Sequence, residues 1–186
     1  MSTDLTYTFS VEQSPAEAFA AICDVRGWWS GQVEGRTDEL GAEWSYEVPD
    51  LHFSAFRITE LVPDRSVAWL VTKGWLAFTE DEEEWTGTTV RFDVTATDGG
   101  TQVRFTHEGL VPQVECYDVC RVAWSEYVNG SLRALIETGT GRPNSYEDLD
   151  VAREARPTYP RAWPPAPAPR RTPAGASAGW PGSSTT

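Results

Sequence analysis

The residues of this chain that could act on a small molecule include two histidines. His107 follows Val103 and Phe105 at every second position, so we expect its side chain to share their face of a strand. There it could serve as a general base or as a hydrogen-bonding group for a ligand; the alternative is a structural histidine whose ring is fully hydrogen-bonded. His52 opens a predicted strand, where we expect it to be exposed.

The three cysteines offer a second kind of chemistry. Cys116 and Cys120 are four residues apart on a predicted helix, close in sequence to His107, and such a set could bind a metal. The odd count of three, completed by Cys23, and the absence of zinc-site spacing favour buried thiols in a reducing compartment instead. We therefore predict no metal and no cofactor.

Seven tryptophans lie between residues 28 and 124, more than packing usually requires. Ligand sites are mostly apolar, and bulky rings between a sheet and a helix tend to leave a void. We therefore predict an internal cavity for a small apolar or aromatic ligand; the alternative is that the rings fill the core. The predicted cavity residues are Trp28, Trp29, Trp44, Trp69, Trp75, Phe92, Phe105, His107, Trp124 and Val128. Among them, the predicted walls are Trp44, Trp69 and Trp124, and the predicted mouth is Trp28, Trp29 and Trp75.

No motif identifies a reaction. The sequence lacks a nucleophile elbow, a phosphate-binding glycine loop, an HExxH zinc motif and a paired cysteine ligand set. Arg57 and Arg91 lie in strand centres, where we expect them to face solvent or pair with acids; an inward guanidinium would suit a carboxylate ligand. We expect the acidic run Glu80–Glu84 to be a solvated loop, with a calcium site as the alternative.

The charge and hydropathy of the chain exclude other classes of partner. The net charge is -13, whereas nucleic-acid binding requires clustered Lys and Arg, so we expect no nucleic-acid partner. No stretch approaches the roughly 18 apolar residues that a membrane span requires, and the first residues do not resemble a secretory signal. We therefore predict a cytoplasmic protein.

The predicted elements begin with a strand and two short helices. In the first strand Leu5, Tyr7, Phe9 and Val11 alternate with polar residues, which indicates one buried face. Residues 14–17 (SPAE) then supply an N-cap, a proline at the first helical position and a glutamate three residues after the cap. A second short turn is predicted after Asp24.

The middle of the chain predicts a meander of strands. Residues 42–48, 51–62, 66–72, 84–96 and 101–108 read as strands. Turn residues lie between several of them, as in Pro49-Asp50, Pro63-Asp64-Arg65 and Asp98-Gly99-Gly100, so consecutive strands should pair antiparallel. The order of elements predicts an α+β fold with its helices segregated to one side.

A long helix and a tail complete the prediction. From Glu115 to Thr138 apolar residues recur at helical spacing, and Gly139 and Pro143 end the helix. Of the 13 prolines, 8 fall between Pro157 and Pro181. We predict a domain over residues 1–148 and a disordered Pro-rich tail over residues 149–186, because such a composition buries too little apolar surface to offset its ordering entropy.

Several segments, in this order, carry a family resemblance: residues 14–19 (SPAEAF), 28–29 (WW), 60–64 (ELVPD), 106–110 (THEGL) and 130–139 (GSLRALIETG). Residues 4–145 resemble the SRPBCC superfamily, the START-like or helix-grip proteins, and most closely proteins similar to the C-terminal domain of the activator of heat-shock-protein ATPase. The resemblance implies a helix-grip fold, in which a curved antiparallel sheet of about six to seven strands wraps a long C-terminal helix and two short helices follow strand one.

The superfamily is functionally broad, so fold alone does not assign a function. It includes lipid and hormone binders, polyketide cyclases, hydrolase-like enzymes and co-chaperone domains. Our leading hypothesis is binding of a small hydrophobic or aromatic ligand, because the tryptophan excess occurs in a chain that resembles a cavity-forming fold. The alternatives are a cyclase- or hydrolase-like enzyme using His107, or a chaperone-associated interaction module of the stress response. In each case we expect a monomer or a homodimer.

Overall fold

A seven-stranded antiparallel sheet dominates the structure, a computed structural model that describes residues 3–144. The sheet order is β1-β7-β6-β5-β4-β3-β2. The strands are β1 (Leu5–Val11), β2 (Val33–Gly35), β3 (Glu43–Val48), β4 (His52–Val62), β5 (Ser66–Leu76), β6 (Thr89–Thr97) and β7 (Gly100–Glu108). The predicted boundary at residue 148 and the predicted tail, residues 149–186, lie outside the described residues.

Two short helices, α1 (Pro15–Cys23) and α2 (Val25–Trp28), follow β1. The predicted capping box is present: Ser14 Oγ accepts a hydrogen bond from the Glu17 backbone N–H, and the Glu17 carboxylate accepts one from the Ser14 N–H at 2.9 Å. These two bonds satisfy amide groups that a helix start otherwise leaves unpaired. The cap thus fixes where the chain turns from β1 into the helical layer.

The meander from β3 to β7 follows the predicted turns. Asp50 and Asp64 adopt positive φ angles of 59° and 62°, a conformation that aspartate tolerates better than most residues. β1 returns to pair with β7, with Leu5 opposite His107 and Val11 opposite Thr101. The first and last strands are therefore neighbours in the sheet. The buried residues of β7 and those of β1 lie on the same face of the sheet.

The C-terminal helix consists of three consecutive segments: α3 (Tyr117–Ser125), a π-helical segment (Glu126–Leu132) and α4 (Arg133–Thr138). Gly139 ends it in the left-handed conformation, as its position predicts. The buried face carries Cys120, Trp124, Val128, Leu132 and Ile136, each four residues after the last. The wider π turn, with its i to i+5 hydrogen bonds, was not predicted. The predicted α+β helix-grip fold is confirmed.

One strand is absent from the predictions, and two strand boundaries differ from them by several residues. β2 was not predicted, since three residues give no usable periodicity. β5 extends to Leu76 rather than residue 72, and β6 begins at Thr89 rather than residue 84. The residues between them form hydrogen-bonded turns, such as Thr88 N–H to Trp85 C=O at 3.0 Å, so Trp85 lies on a connection and not on a strand.

Within residues 3–144, no helix has the length and apolar character needed to cross a membrane.

Candidate functional site

A partly open cavity of about 170 Å³ lies between the adjoining ends of β3 and β4, the β5–β6 connection and the C-terminal helix. Its wall is mostly aromatic and aliphatic, with a few polar atoms at its edges. The lining residues are Trp29, Tyr46, Val48, Leu51, His52, Phe78, Trp85, Val119, Cys120, Ala123, Trp124 and Tyr127. We refer to this space as the aromatic cavity.

Trp85 forms the wall that separates the aromatic cavity from the core. Its ring stacks on Trp124 with centroids 5.9 Å apart and planes 9° apart. His52 and His107 each meet the Trp85 ring edge to face at 4.8 Å. The indole Nε1–H donates to Cys116 Sγ at 3.3 Å, so the one polar atom of Trp85 has a partner.

His107 is fully buried and has both ring nitrogens engaged. Trp124 Nε1–H donates to His107 Nδ1 at 3.1 Å, and His107 Nε2 lies 2.9 Å from Thr88 Oγ1. Because an indole N–H only donates, Nδ1 must be the acceptor and the ring proton sits on Nε2. Thr88 Oγ1 accepts that proton and donates its own to the Trp85 carbonyl. Burial first, and His52 second, lower the pKa of His107 to about 3.

His52 lies in the cavity wall, half-buried, and not on an exposed strand end as expected from its position. Its Nε2 is 2.8 Å from Ser54 Oγ, and its ring meets Tyr46 edge to face at 5.2 Å. Burial lowers the pKa of His52 to about 3, so the ring is neutral at physiological pH. The cavity therefore gains a polar edge from His52 but no positive charge.

A second polar edge consists of Tyr46, Tyr127 and Asn144. Asn144 Nδ2 donates to the Tyr46 hydroxyl at 2.9 Å and to the Tyr127 hydroxyl at 2.7 Å. Burial raises the pKa of both tyrosines, and the proximity of Tyr127 raises that of Tyr46 further. Both hydroxyls therefore stay protonated and remain hydrogen-bond donors at neutral pH.

The cysteines are buried free thiols, as the sequence favoured. Hydrogen bonding with Cys120, followed by burial, raises the pKa of the Cys116 thiol. Burial likewise raises the pKa of Cys23 to about 11. Reactive cysteines need a lowered pKa, so Cys23 and Cys116 have packing roles. In the described residues no group of three His, Cys, Asp or Glu side chains could hold a metal ion.

The predicted site residues fall into two groups. Trp29 and Trp124 line the aromatic cavity. The rest do not reach its surface: His107 lies behind Trp85 and Trp124, while the packed core contains Trp28, Trp44, Trp69, Phe92, Phe105 and Val128. Trp28 and Trp29, predicted at a mouth, are 0% and 2% exposed. Trp75 is half-buried on β5, where its Nε1–H donates to Glu82.

The packed rings fill much of the space that the sequence suggested for a ligand. Trp44 stacks on Phe56 with centroids 4.2 Å apart and meets Trp69 edge to face at 5.0 Å. Trp69 in turn contacts Trp28 at 6.4 Å. Most of the tryptophans therefore pack in the core. The remaining cavity lies at one end of the space between the sheet and the C-terminal helix.

The sequence reasoning missed five polar or aromatic residues of the lining: Tyr46, His52, Phe78, Trp85 and Tyr127. Tyr46 alternates with Trp44 and Val48 in a predicted strand, and this period-2 spacing places its side chain on the same face as theirs. The spacing could therefore have identified Tyr46 as a lining residue. Trp85 falls in the predicted strand over residues 84–96, and Phe78 falls in no predicted element, so neither was expected to line a cavity. Tyr127 lies one position before Val128 and so outside the four-residue spacing of the buried helix face. That spacing therefore does not identify Tyr127 as a lining residue.

The two arginines in strand centres pair with acids, as predicted. Arg57 donates to Glu43 at 2.6 Å, and Arg91 makes two bonds to the Glu60 carboxylate at 2.9 and 3.0 Å. Neither lines the aromatic cavity. The run Glu80–Glu84 lies in the β5–β6 connection, where Glu84 accepts hydrogen bonds from the backbone N–H groups of Glu115 and Cys116.

The fold can be compared with known structures. The Aha1 dimer from Colwellia psychrerythraea is 21% identical, with a TM-score of 0.61, over 75% of this chain and 99% of that one. CalU16 from Micromonospora echinospora is 13% identical, with a TM-score of 0.53, over 82% and 83%. DynU16, from the dynemicin biosynthetic locus, is 16% identical, with a TM-score of 0.55, over 74% of this chain and 48% of that one. At these identities the likeness establishes the fold alone.

Sequence comparison adds the family. No curated protein matches this chain. The family model described as Activator of Hsp90 ATPase homolog 1-like protein matches residues 13–137, which include the elements from α1 to the last turns of the C-terminal helix. The chain therefore belongs to the family of Activator of Hsp90 ATPase homolog 1-like proteins.

Proposed function

We propose that this protein binds a small, largely apolar aromatic molecule in the aromatic cavity. The observation that carries the proposal is the cavity of about 170 Å³, which is lined by rings and backed by a packed core. An apolar cavity of roughly 150 Å³ is enough to admit benzene. A ligand of one ring with one or two small substituents therefore matches the volume.

The rigidity of the wall supports binding. The rings of Trp85 and Trp124 are fixed by their mutual stacking and by hydrogen bonds from both indole N–H groups. A site formed in advance avoids the entropy of ordering loops and side chains on binding, which otherwise reduces affinity. DynU16 comes from a biosynthetic locus, and this context also fits a small-molecule ligand for the fold.

The arrangement of His107 favours binding over catalysis by that residue. A general base needs a free lone pair within hydrogen-bonding distance of the proton it removes. The Nδ1 lone pair of His107 is occupied by Trp124, and the Nε2 proton is held by Thr88. His107 therefore fits a role in positioning Trp124 and Trp85, the alternative that the sequence left open.

The proposal is tested by a panel of small aromatic probes, such as benzene, toluene and naphthalene, in ligand-observed NMR and thermal-shift assays on the full chain. The cavity-filling variant Ala123→Phe should lose binding at least tenfold, because Ala123 lines the cavity. Val122→Phe is the matched control: Val122 is adjacent, 52% exposed and outside the lining. Absence of binding by every probe, or equal binding by both variants, would contradict the proposal.

A second candidate function is association with a chaperone, supported by family membership. Val119 and Val122 expose about half of their side-chain surface on one face of α3, beside the cavity mouth. Exposed apolar side chains that adjoin each other are typical of contact surfaces. The Colwellia relative is a dimer, so self-association is the competing outcome.

A pull-down with an Hsp90-type chaperone tests the second candidate. The full chain should retain the chaperone, and Val122→Glu should lose it without affecting probe binding in the aromatic cavity. A chain ending at residue 148, the proposed domain boundary, tests whether the proposed tail contributes. If Val122→Glu captures the chaperone as well as the unsubstituted protein does, or if sedimentation shows only dimers of this chain, the second candidate is wrong.

We also propose a cytoplasmic location. Its support is chemical: Cys23, Cys116 and Cys120 are all free thiols, which persist in a reducing compartment.

A further inference from the structure

The polar edge formed by Tyr46, Tyr127 and Asn144 contains more hydrogen-bond donors than it can satisfy. Asn144 is fixed by the main chain, because its N–H donates to the Trp29 carbonyl at 2.9 Å and it bridges to Ser30. Its side-chain amide lies between the hydroxyls of two residues that line the aromatic cavity. The position of these groups is therefore set by the fold before any ligand binds.

The hydrogens of this cluster can be assigned one by one. The two Asn144 Nδ2 hydrogens go to the oxygens of Tyr46 and Tyr127. Each hydroxyl oxygen therefore accepts one hydrogen bond from Asn144. In the part of the chain that the structure describes, the hydrogen of neither hydroxyl has an acceptor.

Rotating the Asn144 amide does not remove this surplus. Asn144 Oδ1 is buried and has no partner among the described residues. If the amide were turned by 180°, both hydroxyls could donate to Oδ1, but both Nδ2 hydrogens would then lack acceptors. In either orientation the cluster keeps a donor that has no acceptor among the described residues. A buried donor without an acceptor costs free energy, which an acceptor on a ligand would recover.

The charges around the edge restrict the acceptor further. Among the lining residues none is Lys or Arg, and His52 is neutral. Glu126 lies close enough to Tyr127 to raise its pKa, after the larger effect of burial. A carboxylate would therefore enter an apolar site without a counter-ion and beside an acid, which is costly. A neutral acceptor has no such penalty.

We propose that the ligand is a neutral single-ring aromatic compound with a carbonyl-type oxygen, and that this oxygen accepts a hydrogen bond from the Tyr46–Tyr127–Asn144 cluster. The inference rests on the proposed function, since it requires a ligand in the aromatic cavity. Tyr127, the less buried of the two tyrosines, is the residue that sets specificity. The ring of the ligand occupies the space between Trp85, Trp124 and Phe78.

Acetophenone, toluene and benzoate test this inference as probes on the full chain. Acetophenone carries only an acceptor, toluene carries no polar group and benzoate carries a charge. We expect acetophenone to bind about threefold to tenfold more tightly than toluene in calorimetry, the effect of one neutral hydrogen bond. Benzoate should bind more weakly than acetophenone. The carbonyl stretching band of bound acetophenone should move to lower frequency than in hexane.

Two variants separate the polar contact from the fold. Tyr127→Phe should remove the preference for acetophenone and leave toluene binding within about twofold. Tyr117→Phe is the matched control, because Tyr117 lies on the same helix and outside the cavity lining. If Tyr127→Phe does not fold, the infrared shift in the unsubstituted protein still decides the question.

The outcomes distinguish the inference from the proposed function. Equal binding of toluene and acetophenone, or benzoate binding as tightly as acetophenone, would overturn the inference and leave the proposed function intact. An unshifted carbonyl band would do the same. If none of the probes binds, the proposed function fails and the inference fails with it.

Discussion

The indole Nε1–H of Trp124 donates to Nδ1 of His107 at 3.1 Å, and this buried contact joins the C-terminal helix to β7. Each of these two polar groups requires the other as its hydrogen-bond partner. Trp124 and His107 are 1% and 0% exposed, so neither polar group has access to water. The same contact fixes the proton of His107 on Nε2 and thereby the hydrogen bond to Thr88, which precedes β6.

Removing the donor should therefore destabilise the fold. Trp124→Phe leaves His107 Nδ1 unpaired and a small cavity beside Trp85, and we expect the free energy of unfolding to fall by about 2–4 kcal/mol. Urea denaturation measures the change. Trp75→Phe is the control, because Trp75 is half-buried and donates to Glu82 on the β5–β6 connection; its cost should stay below about 1 kcal/mol. Equal costs for the two variants would show that the buried contact has no special weight.

The neutral state of His107 predicts how stability depends on pH. In the unfolded chain histidine titrates near 6.5, whereas burial, with a smaller effect of His52, lowers the pKa to about 3 in the folded protein. Between these values the unfolded state binds more protons. Stability is therefore fully present above pH 6.5 and declines as the pH falls toward 3, by about 1.4 kcal/mol per pH unit.

The variant His107→Gln isolates this effect. Denaturant unfolding from about pH 7 to about pH 5 should show a smaller pH slope for the variant, by about 1.4 kcal/mol per unit below pH 6, because one titrating group has been removed. His52 and the carboxylates contribute equally to both proteins. A difference in stability that stays constant over this range would mean that His107 titrates normally in the folded state.

The fold was predictable because its signals are local and agree with each other. The alternation in β1, the capping box at Ser14 and the Gly139 stop each depend on a few neighbouring residues, and each is present in the structure. The π-helical segment was not predictable in the same way. Its buried residues Val128 and Leu132 keep the four-residue spacing of the rest of the helix, so the spacing does not reveal the wider turn.

The site was harder to predict because it is defined by the space that the rings leave empty. Trp44 and Trp69 were expected as cavity walls, yet they pack on each other edge to face at 5.0 Å. Which tryptophans interlock depends on long-range geometry that residue counts do not contain. Trp85, the central wall residue, lies on an irregular connection where neither periodicity applies.

The β5–β6 connection carries Trp85, and Glu84 attaches it to the start of α3. The Glu84 carboxylate accepts hydrogen bonds from the Glu115 N–H and, at 2.9 Å, from the Cys116 N–H. Glu84→Ala leaves these two amide groups without a protein acceptor. We expect a loss of about 1–2 kcal/mol and faster amide hydrogen exchange over residues 77–88.

Glu83→Ala is the matched control for this attachment. Glu83 is adjacent and has the same charge, so a general effect of removing one acid from this connection would appear in both variants. Hydrogen exchange measured by mass spectrometry should show faster exchange of residues 77–88 and of the first turn of α3 only in Glu84→Ala. Identical exchange in both variants would mean that Glu84 does not hold the connection.

The segment after the C-terminal helix depends on close contact at Gly141. A Cβ atom at this position would overlap the carbonyl oxygen of Gly27 in α2 and come within 3.2 Å of Ser131 Oγ. Gly141→Ala should therefore push residues 141–144 away from α2, lowering the free energy of unfolding by about 1–3 kcal/mol and weakening acetophenone binding through displacement of Asn144. Gly31→Ala is the control, because a Cβ there meets nothing within 4 Å, and it should change stability by less than about 1 kcal/mol. Denaturant unfolding measures the change in stability, and calorimetry measures the change in acetophenone affinity. If Gly141→Ala is as stable as Gly31→Ala and binds acetophenone equally well, the segment tolerates displacement.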